Sequence, residues 1–188
     1  MLPADRIRTL LREHDDPDHL ERPENFDLPS ARDAFARLVS ALEEAFGPSC
    51  SNGLGQDTSY YGGIKIPVEA TGLGRPLWVQ MSNFGAYFVT AGTGAHWGAP
   101  DCEGDPPGEF STWLDQVCTA AGCTFVPVQL LLEPYDGPSE LAGFHDAELA
   151  TALEAFVAAG GDLGIDGDED EEEELRPDTW HDRYFEYM

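Results

Sequence analysis

The sequence predicts an α+β fold, in which an antiparallel sheet of three to five strands is covered by helices. Period-two alternation of apolar and polar residues runs through about 59–92 and is broken at two Gly-containing turns, 72–74 and 82–85. This pattern is typical of a meander of antiparallel strands. Apolar residues at helical spacing lie on both sides of the meander, which predicts helices that cover one face of the sheet.

Within the meander, the first strand carries Ile64, Ile66 and Val68 at period two. The second and third strands occupy about 75–92 and place Leu77, Val79 and Met81 on one face. Side chains alternate between the two faces of a strand, so these apolar residues predict which face lies against the helices.

Helices are predicted at about 30–46, 110–121 and 146–159. Ser30 and Asp33 resemble a capping box at the start of the first helix, and Gly47 and Pro48 end it. The second helix has an apolar stripe that ends at Gly122. The third shows the same periodicity, with an Asp at its start and a Gly pair at its end.

The stretch 124–132 allows two interpretations. Phe125, Val126 and Val128 favour a strand, which Pro127 would restrict to the edge of a sheet. The three leucines at 130–132 favour the start of a helical turn.

The chain divides into three parts by composition. Residues 1–161 are predicted to form a single α+β domain, and 162–177 an acidic linker, because nine acidic residues and no basic one lie between Asp162 and Glu174. Residues 178–188 hold four aromatic side chains. We expect this segment to dock on the domain or on a partner, since so much aromatic surface is unfavourable in water.

The charge balance limits the partners. The chain has 36 acidic and ten basic residues, a formal net charge of −26. Such a surface repels nucleic acid and anionic lipid and attracts basic proteins. We therefore expect a basic protein partner, if there is any, and neither a nucleic-acid nor a membrane partner. Four cysteines without a disulfide pattern and no signal-peptide pattern at the start predict a cytoplasmic protein.

The acidic run has the spacing of a calcium-binding loop. Counted from Asp162, carboxylates fall at positions one, five, seven, nine and twelve, with Gly167 at position six. The run resembles the calcium loop of EF-hand proteins, although Gly164 at position three supplies no side-chain oxygen. The resemblance implies calcium ligands at Asp162, Asp166, Asp168, Asp170 and Glu173.

No motif indicates catalysis, and no catalytic residue or cofactor is predicted. Cys102 lies six residues after His96, but its neighbours Asp101, Glu103 and Asp105 would raise the pKa of its thiol and disfavour a thiolate nucleophile. Cys118 lies on the apolar stripe of its helix, where a cysteine packs as a small apolar residue.

Taken together, these features favour a non-catalytic binding protein. It is similar in type to small, acidic bacterial immunity proteins, which implies inhibition of a basic toxin or effector. Aromatic anchors and an acidic rim would bind such a partner. The predicted partner-binding residues are Trp97, Asp101, Glu103, Asp105, Trp180, Tyr184 and Tyr187. The alternatives are a small enzyme or ligand-binding protein, with its site between the sheet and the 92–108 loop, and a nucleic-acid mimic.

Overall fold

The structure is a computed structural model that describes residues 1–48, 50–55, 58–94, 106–137, 177 and 179–186. Its helices are α1 (Ala4–Glu13), α2 (Leu28–Phe46), α3 (Val68–Thr71), α4 (Gly108–Ala121) and α5 (Val128–Leu131). Its strands are β1 (Ser51–Leu54), β2 (Tyr60–Ile66), β3 (Leu77–Ser82), β4 (Phe88–Thr93) and β5 (Thr124–Phe125). A π-helical turn, Asp182–Glu186, follows near the C-terminus. The predicted α+β class is confirmed.

The strands form one sheet in the order β1-β2-β3-β4-β5. The pairs from β1 to β4 are antiparallel, as the meander predicts, but β5 pairs with β4 in parallel. The expectation of a purely antiparallel sheet is therefore wrong. The reason is the connection through α4, which returns the chain to the end of the sheet where β4 begins, so the next strand runs in the same direction.

Helix α2 begins two residues earlier than predicted. The Asp27 side chain accepts a hydrogen bond from the Ser30 amide at 3.1 Å, and Pro29 occupies the first turn. Asp27 is thus the N-cap, in place of the predicted capping box at Ser30, since its carboxylate satisfies one of the free amide hydrogens at the helix entry. Gly47 follows the last helical residue at φ 89°, as the sequence predicts.

Prolines decide two further boundaries. Pro67 ends β2 because it has no amide hydrogen for the ladder, so Val68 begins α3 instead of extending the strand. Pro127 likewise separates β5 from α5. Phe125 lies in an edge strand, as the first interpretation predicts, whereas Val128 begins the helical turn that the second interpretation predicts. The predicted helix 146–159 lies outside the residues that the structure describes.

The first hydrophobic core lies between the sheet and helices α2 and α4. Its buried members from the helices include Phe35, Leu38, Leu42 and Leu114, and those from the sheet include Ile64, Ile66, Leu77, Val79, Met81, Val89 and Ala91. This core uses the face of the strands that the period-two pattern predicts.

A second hydrophobic core covers the opposite face of the sheet. Its buried members come from α1, the turn before β4, β4, α5 with its flanking residues, and the C-terminal segment: Ile7, Leu11, Phe84, Phe88, Val126, Leu131, Tyr135, Trp180, Tyr184 and Phe185. All six residues of β3 are consequently buried, including Trp78, Gln80 and Ser82 on this second face. The sheet is therefore a central layer, with one hydrophobic core on each of its two faces.

Arg183 fastens the C-terminal segment to the loop that follows α1. Its guanidinium is fully buried, and its Nε donates to Asp15 Oδ1 at 2.8 Å. Its terminal nitrogens donate to the carbonyl oxygens of Leu20 and Asp16 at 3.0 and 2.7 Å, and the charge lies 4.5 Å from the centre of the Phe84 ring. A segment separated by more than 160 residues from this loop is therefore held by a buried ion pair.

Candidate functional site

An apolar groove opens on the surface between α2, α3 and α4. It has a volume of about 340 Å³. The lining residues are Ala45, Phe46, Thr71, Leu73, Leu77, Pro107, Glu109, Phe110 and Trp113. We call it the aromatic groove.

Three rings form one wall of the aromatic groove. The ring centres of Phe46, Phe110 and Trp113 lie 5.7 to 5.9 Å from one another, a spacing at which aromatic rings attract. The three rings are only partly buried. The periodicity of α2 and α4 positions them, since Phe46 is the last residue of α2 and the other two rings are in the first half of α4.

The charge around the aromatic groove is negative. Among the described lining residues, Glu109 is charged and none is basic. Glu44 and Glu69 are exposed and lie within two residues of the lining residues Ala45 and Thr71. Carboxylates beside an exposed apolar surface favour a ligand that combines apolar and cationic groups.

Two arginines of α1 form ion pairs with carboxylates of the segment after α5. Arg8 donates to Glu133, and Arg12 donates to Asp136, with closest distances of 2.7 and 2.6 Å. The hydrogen bond from each arginine lowers the pKa of its carboxylate partner below the ordinary value. The described part of the chain has 18 acidic and nine basic residues, a difference of −9. Because this surplus of carboxylates has no basic counterpart among the described residues, the field around the described part of the chain is negative.

A second cluster of polar groups lies beneath the C-terminal segment. His181 is fully buried, and its Nε2 is 3.3 Å from Gln80 Oε1 on β3. Its Nδ1 faces Glu186 Oε1 at 3.6 Å. Burial lowers the pKa of His181 to about 4, against a smaller opposing effect of the Asp182 carboxylate, so the ring is neutral at pH 7.

Three polar atoms on this second face of the sheet are buried without a hydrogen-bond partner among the described residues. They are Trp78 Nε1, Thr90 Oγ1 and His181 Nδ1. Thr90 lies directly across from Gln80 in the β3–β4 register, and Trp78 is two residues from Gln80 on the same face. Buried polar atoms of this kind are few in folded proteins, and a bound water or ion is one of the explanations for them.

A turn of unusual backbone conformation borders a second cavity. Gly85, Ala86 and Tyr87 have φ values of 68°, 52° and 61°, which is the left-handed region for three consecutive residues. The cavity beside them has a volume of about 320 Å³ and includes His14, Asn83 and Tyr87 in its lining. Two of its polar side chains are engaged: Asn83 donates to two carbonyl oxygens, and the Tyr87 hydroxyl donates to Asp27 O.

The structure describes two of the seven predicted partner-binding residues. Trp180 and Tyr184 are 3% and 0% exposed in the second core, where their rings stack with centres 5.6 Å apart. In this conformation their own domain covers them. Trp97, Asp101, Glu103, Asp105 and Tyr187 lie outside the described residues, and their role in binding stays a prediction. The same holds for the calcium ligands Asp162, Asp166, Asp168, Asp170 and Glu173.

The described cysteines pack as apolar residues. Cys50, Cys118 and Cys123 are all buried as free thiols. Burial raises the pKa of the Cys123 thiol to about 12 and also raises that of Cys118. Such thiols carry almost no thiolate at pH 7 and are poor nucleophiles. His96 and Cys102 lie outside the described residues.

Comparisons with known proteins identify no relative: no protein-family profile matches the sequence, and neither the curated proteins nor the solved structures include a match. The fold therefore defines the class of this protein only as an α+β domain with a five-stranded mixed sheet. None of the described helices combines the length and the apolar character that a bilayer span requires.

Sequence reasoning did not find the aromatic groove. Phe110 and Trp113 belong to the apolar stripe of their helix and were expected to face the core. The sequence signal for this groove is the number of large aromatic residues near the ends of the two helices. Three such rings have more surface than one helix–helix contact covers. No sequence pattern predicts the hydrogen bond between His181 and Gln80, because 101 residues separate them in the chain.

Proposed function

We propose that the protein is a non-catalytic binding protein whose acidic surface captures a basic protein partner through the aromatic groove. The finer form of this proposal is an immunity-type inhibitor of a basic toxin or effector in bacteria. The observation that carries it is the combination of three partly exposed rings with Glu109, the one charged residue in the described lining of the groove. No family relationship contributes to this proposal.

The groove suits an apolar side chain from a cationic segment. Its volume of about 340 Å³ lies at the lower end of the range for binding sites of proteins, enough for a few side chains. Aromatic side chains contribute most to the affinity of many interfaces, and the surrounding charges accelerate association and exclude acidic competitors. In this arrangement the rings supply the affinity, and the carboxylates select the sign of the partner's charge.

The experiment uses defined peptides. An array of Lys/Arg-rich peptides that each contain one Leu or Trp is compared with peptides in which Glu replaces the basic residues, and binding is measured by fluorescence anisotropy. We expect binding of the basic set, and at least tenfold weaker binding when NaCl is raised from 50 to 500 mM, because salt screens exposed charges.

The matched variants are Trp113→Ala in the groove and Leu54→Ala, which removes an apolar side chain that is 65% exposed on β1. An aromatic anchor contributes about 2 kcal/mol or more, so Trp113→Ala should weaken binding by roughly 30-fold. Leu54→Ala should leave it unchanged. Equal binding of basic and acidic peptides, or equal binding by the two variants, would contradict the proposal.

The second interpretation, a small enzyme or ligand-binding protein, places its site beside the 92–108 loop. Residues 95–105 of that loop lie outside the described part of the chain, so this alternative stays a prediction. The nucleic-acid mimic also stays a prediction.

A further inference from the structure

The π-helical turn near the C-terminus gathers three groups that bind metal ions. One nitrogen of His181 and one carboxylate oxygen each of Asp182 and Glu186 all lie within 4.8 Å of one another. The i→i+5 hydrogen bonding of a π-helix makes a wide turn, which brings Glu186 over His181. Such turns are rare and often occur at functional sites.

The hydrogen bond to Gln80 sets the tautomer of His181. A carbonyl oxygen only accepts, so Nε2 carries the ring proton and donates it to Gln80 Oε1. Nδ1 is then a bare lone pair. It is fully buried, has no hydrogen-bond partner among the described residues, and points at Glu186. Histidines that bind metals typically donate their other ring N–H to an oxygen acceptor in this way.

The distance between His181 Nδ1 and Glu186 Oε1 can be compared with the distances expected for a direct hydrogen bond, a bridging water and a shared cation. At 3.6 Å the pair is longer than a direct hydrogen bond, which spans about 2.7–3.2 Å. A bridging water with two hydrogen bonds of about 2.8 Å would hold its partners about 4.5 Å apart. Two ligands of a tetrahedral zinc ion at about 2.1 Å lie about 3.4 Å apart. The observed distance fits a shared cation best.

We propose that His181 Nδ1, Asp182 and Glu186 bind one divalent transition-metal ion, Zn²⁺ or Mn²⁺. An imidazole ligand favours these ions over Ca²⁺ and Mg²⁺, which prefer oxygen ligands throughout. Asp182 Oδ2 accepts hydrogen bonds from the Thr179 amide and hydroxyl at 2.9 and 2.8 Å, which orients the carboxylate. Glu186 has a side chain that is 39% exposed, so the ion enters from solvent on its side.

The test is calorimetric titration of EDTA-treated, full-length protein with ZnCl₂ or MnCl₂ at pH 7 in 150 mM NaCl. We expect one tight site per chain for at least one of the two ions, and no comparable site for CaCl₂ or MgCl₂. Glu186→Gln keeps the size of the side chain and should weaken the site at least tenfold. Glu24→Gln, which neutralises an exposed carboxylate of the 14–27 loop, should not change it.

Two further measurements distinguish metal binding at this site from non-specific binding of metal ions to other carboxylates of the chain. A triple variant, Asp166→Asn, Asp168→Asn and Asp170→Asn, should retain the tight site. In ¹⁵N-histidine spectra, zinc should shift the Nδ1 resonance of one imidazole in the wild type, and Glu186→Gln should lose this shift at the same zinc concentration. Equal affinity of Glu186→Gln and wild type, loss of the tight site in the triple variant, or no imidazole shift at saturation would each overturn the proposal. The outcome is independent of peptide binding in the groove.

Discussion

Replacement of Arg183 by Met should be among the most destabilising substitutions in the protein. Met has a similar length but no charge, so Asp15, whose side chain is 4% exposed, would lose its ion-pair partner inside the protein. The hydroxyl of Tyr135 still donates to Asp15 at 2.7 Å, but the carbonyl oxygens of Leu20 and Asp16 lose their donors. Breaking a buried pair in this way costs roughly 3–5 kcal/mol. The free energy of unfolding of a whole domain is about 5–15 kcal/mol, so the loss would be a large fraction of it.

Urea unfolding followed by circular dichroism measures this loss. The control is Arg12→Met, because the Arg12–Asp136 pair is about half exposed on both sides and should contribute little. In a double-mutant cycle with Asp15→Asn, the double variant should be less destabilised than the sum of the two single variants, since no unpaired charge is then left buried. If Arg183→Met unfolds at the same urea concentration as Arg12→Met, or if the cycle is additive, the ion pair does not hold the C-terminal segment.

Two other predictions concern the turn before β4 and the surface ion pairs. Ala86→Gly should stabilise the protein by up to about 1 kcal/mol, because glycine adopts φ 52° without strain, whereas Gly85→Ala should destabilise it, because its Cβ would lie 2.1 Å from the Phe88 ring. Thermal unfolding that moves in the same direction for both variants would contradict this. The stability from the pairs Arg8–Glu133 and Arg12–Asp136 should be present above about pH 4.5 and be lost as the pH falls through the lowered pKa values of the carboxylates. The variant Arg8→Gln/Arg12→Gln should therefore show a slightly weaker pH dependence of unfolding between pH 5 and 2 than wild type, and an unchanged or steeper dependence would refute it.

The sequence predicts the elements whose stabilisation is local. The stripe of α2 and the stop at Gly47 follow from helical geometry and the left-handed preference of glycine, and both are confirmed. The first core is confirmed in the same way, because Leu77, Val79 and Met81 alternate as a strand with one covered face requires. The errors at Ser30 and Val68 are boundary errors. The cap Asp27, three residues before Ser30, decided the first, and Pro67, directly before Val68, decided the second.

The candidate sites were not predicted because each depends on elements distant in the chain. The rings of the aromatic groove have the periodicity of core residues, and only the relative position of α2 and α4 leaves them partly exposed. Gln80 and Thr90 are polar residues of the strands, and both are buried on the second face of the sheet. Trp180 and Tyr184 could have docked on the domain or on a partner, and composition alone did not choose between these.

The sequence by itself determined the α+β class, the antiparallel meander and the helices of the first core, because side-chain periodicity in a helix or a strand is a property of the local backbone. The tertiary structure alone decided that β5 joins in parallel and that the C-terminal segment covers the second face of the sheet. It also decided that His181 meets Gln80 there. These outcomes depend on where the chain returns after a long connection. The position at which the chain packs after such a connection depends on burial, ion pairing and the entropy of loop closure. These contributions involve residues far apart in the sequence, so a local sequence pattern does not predict them.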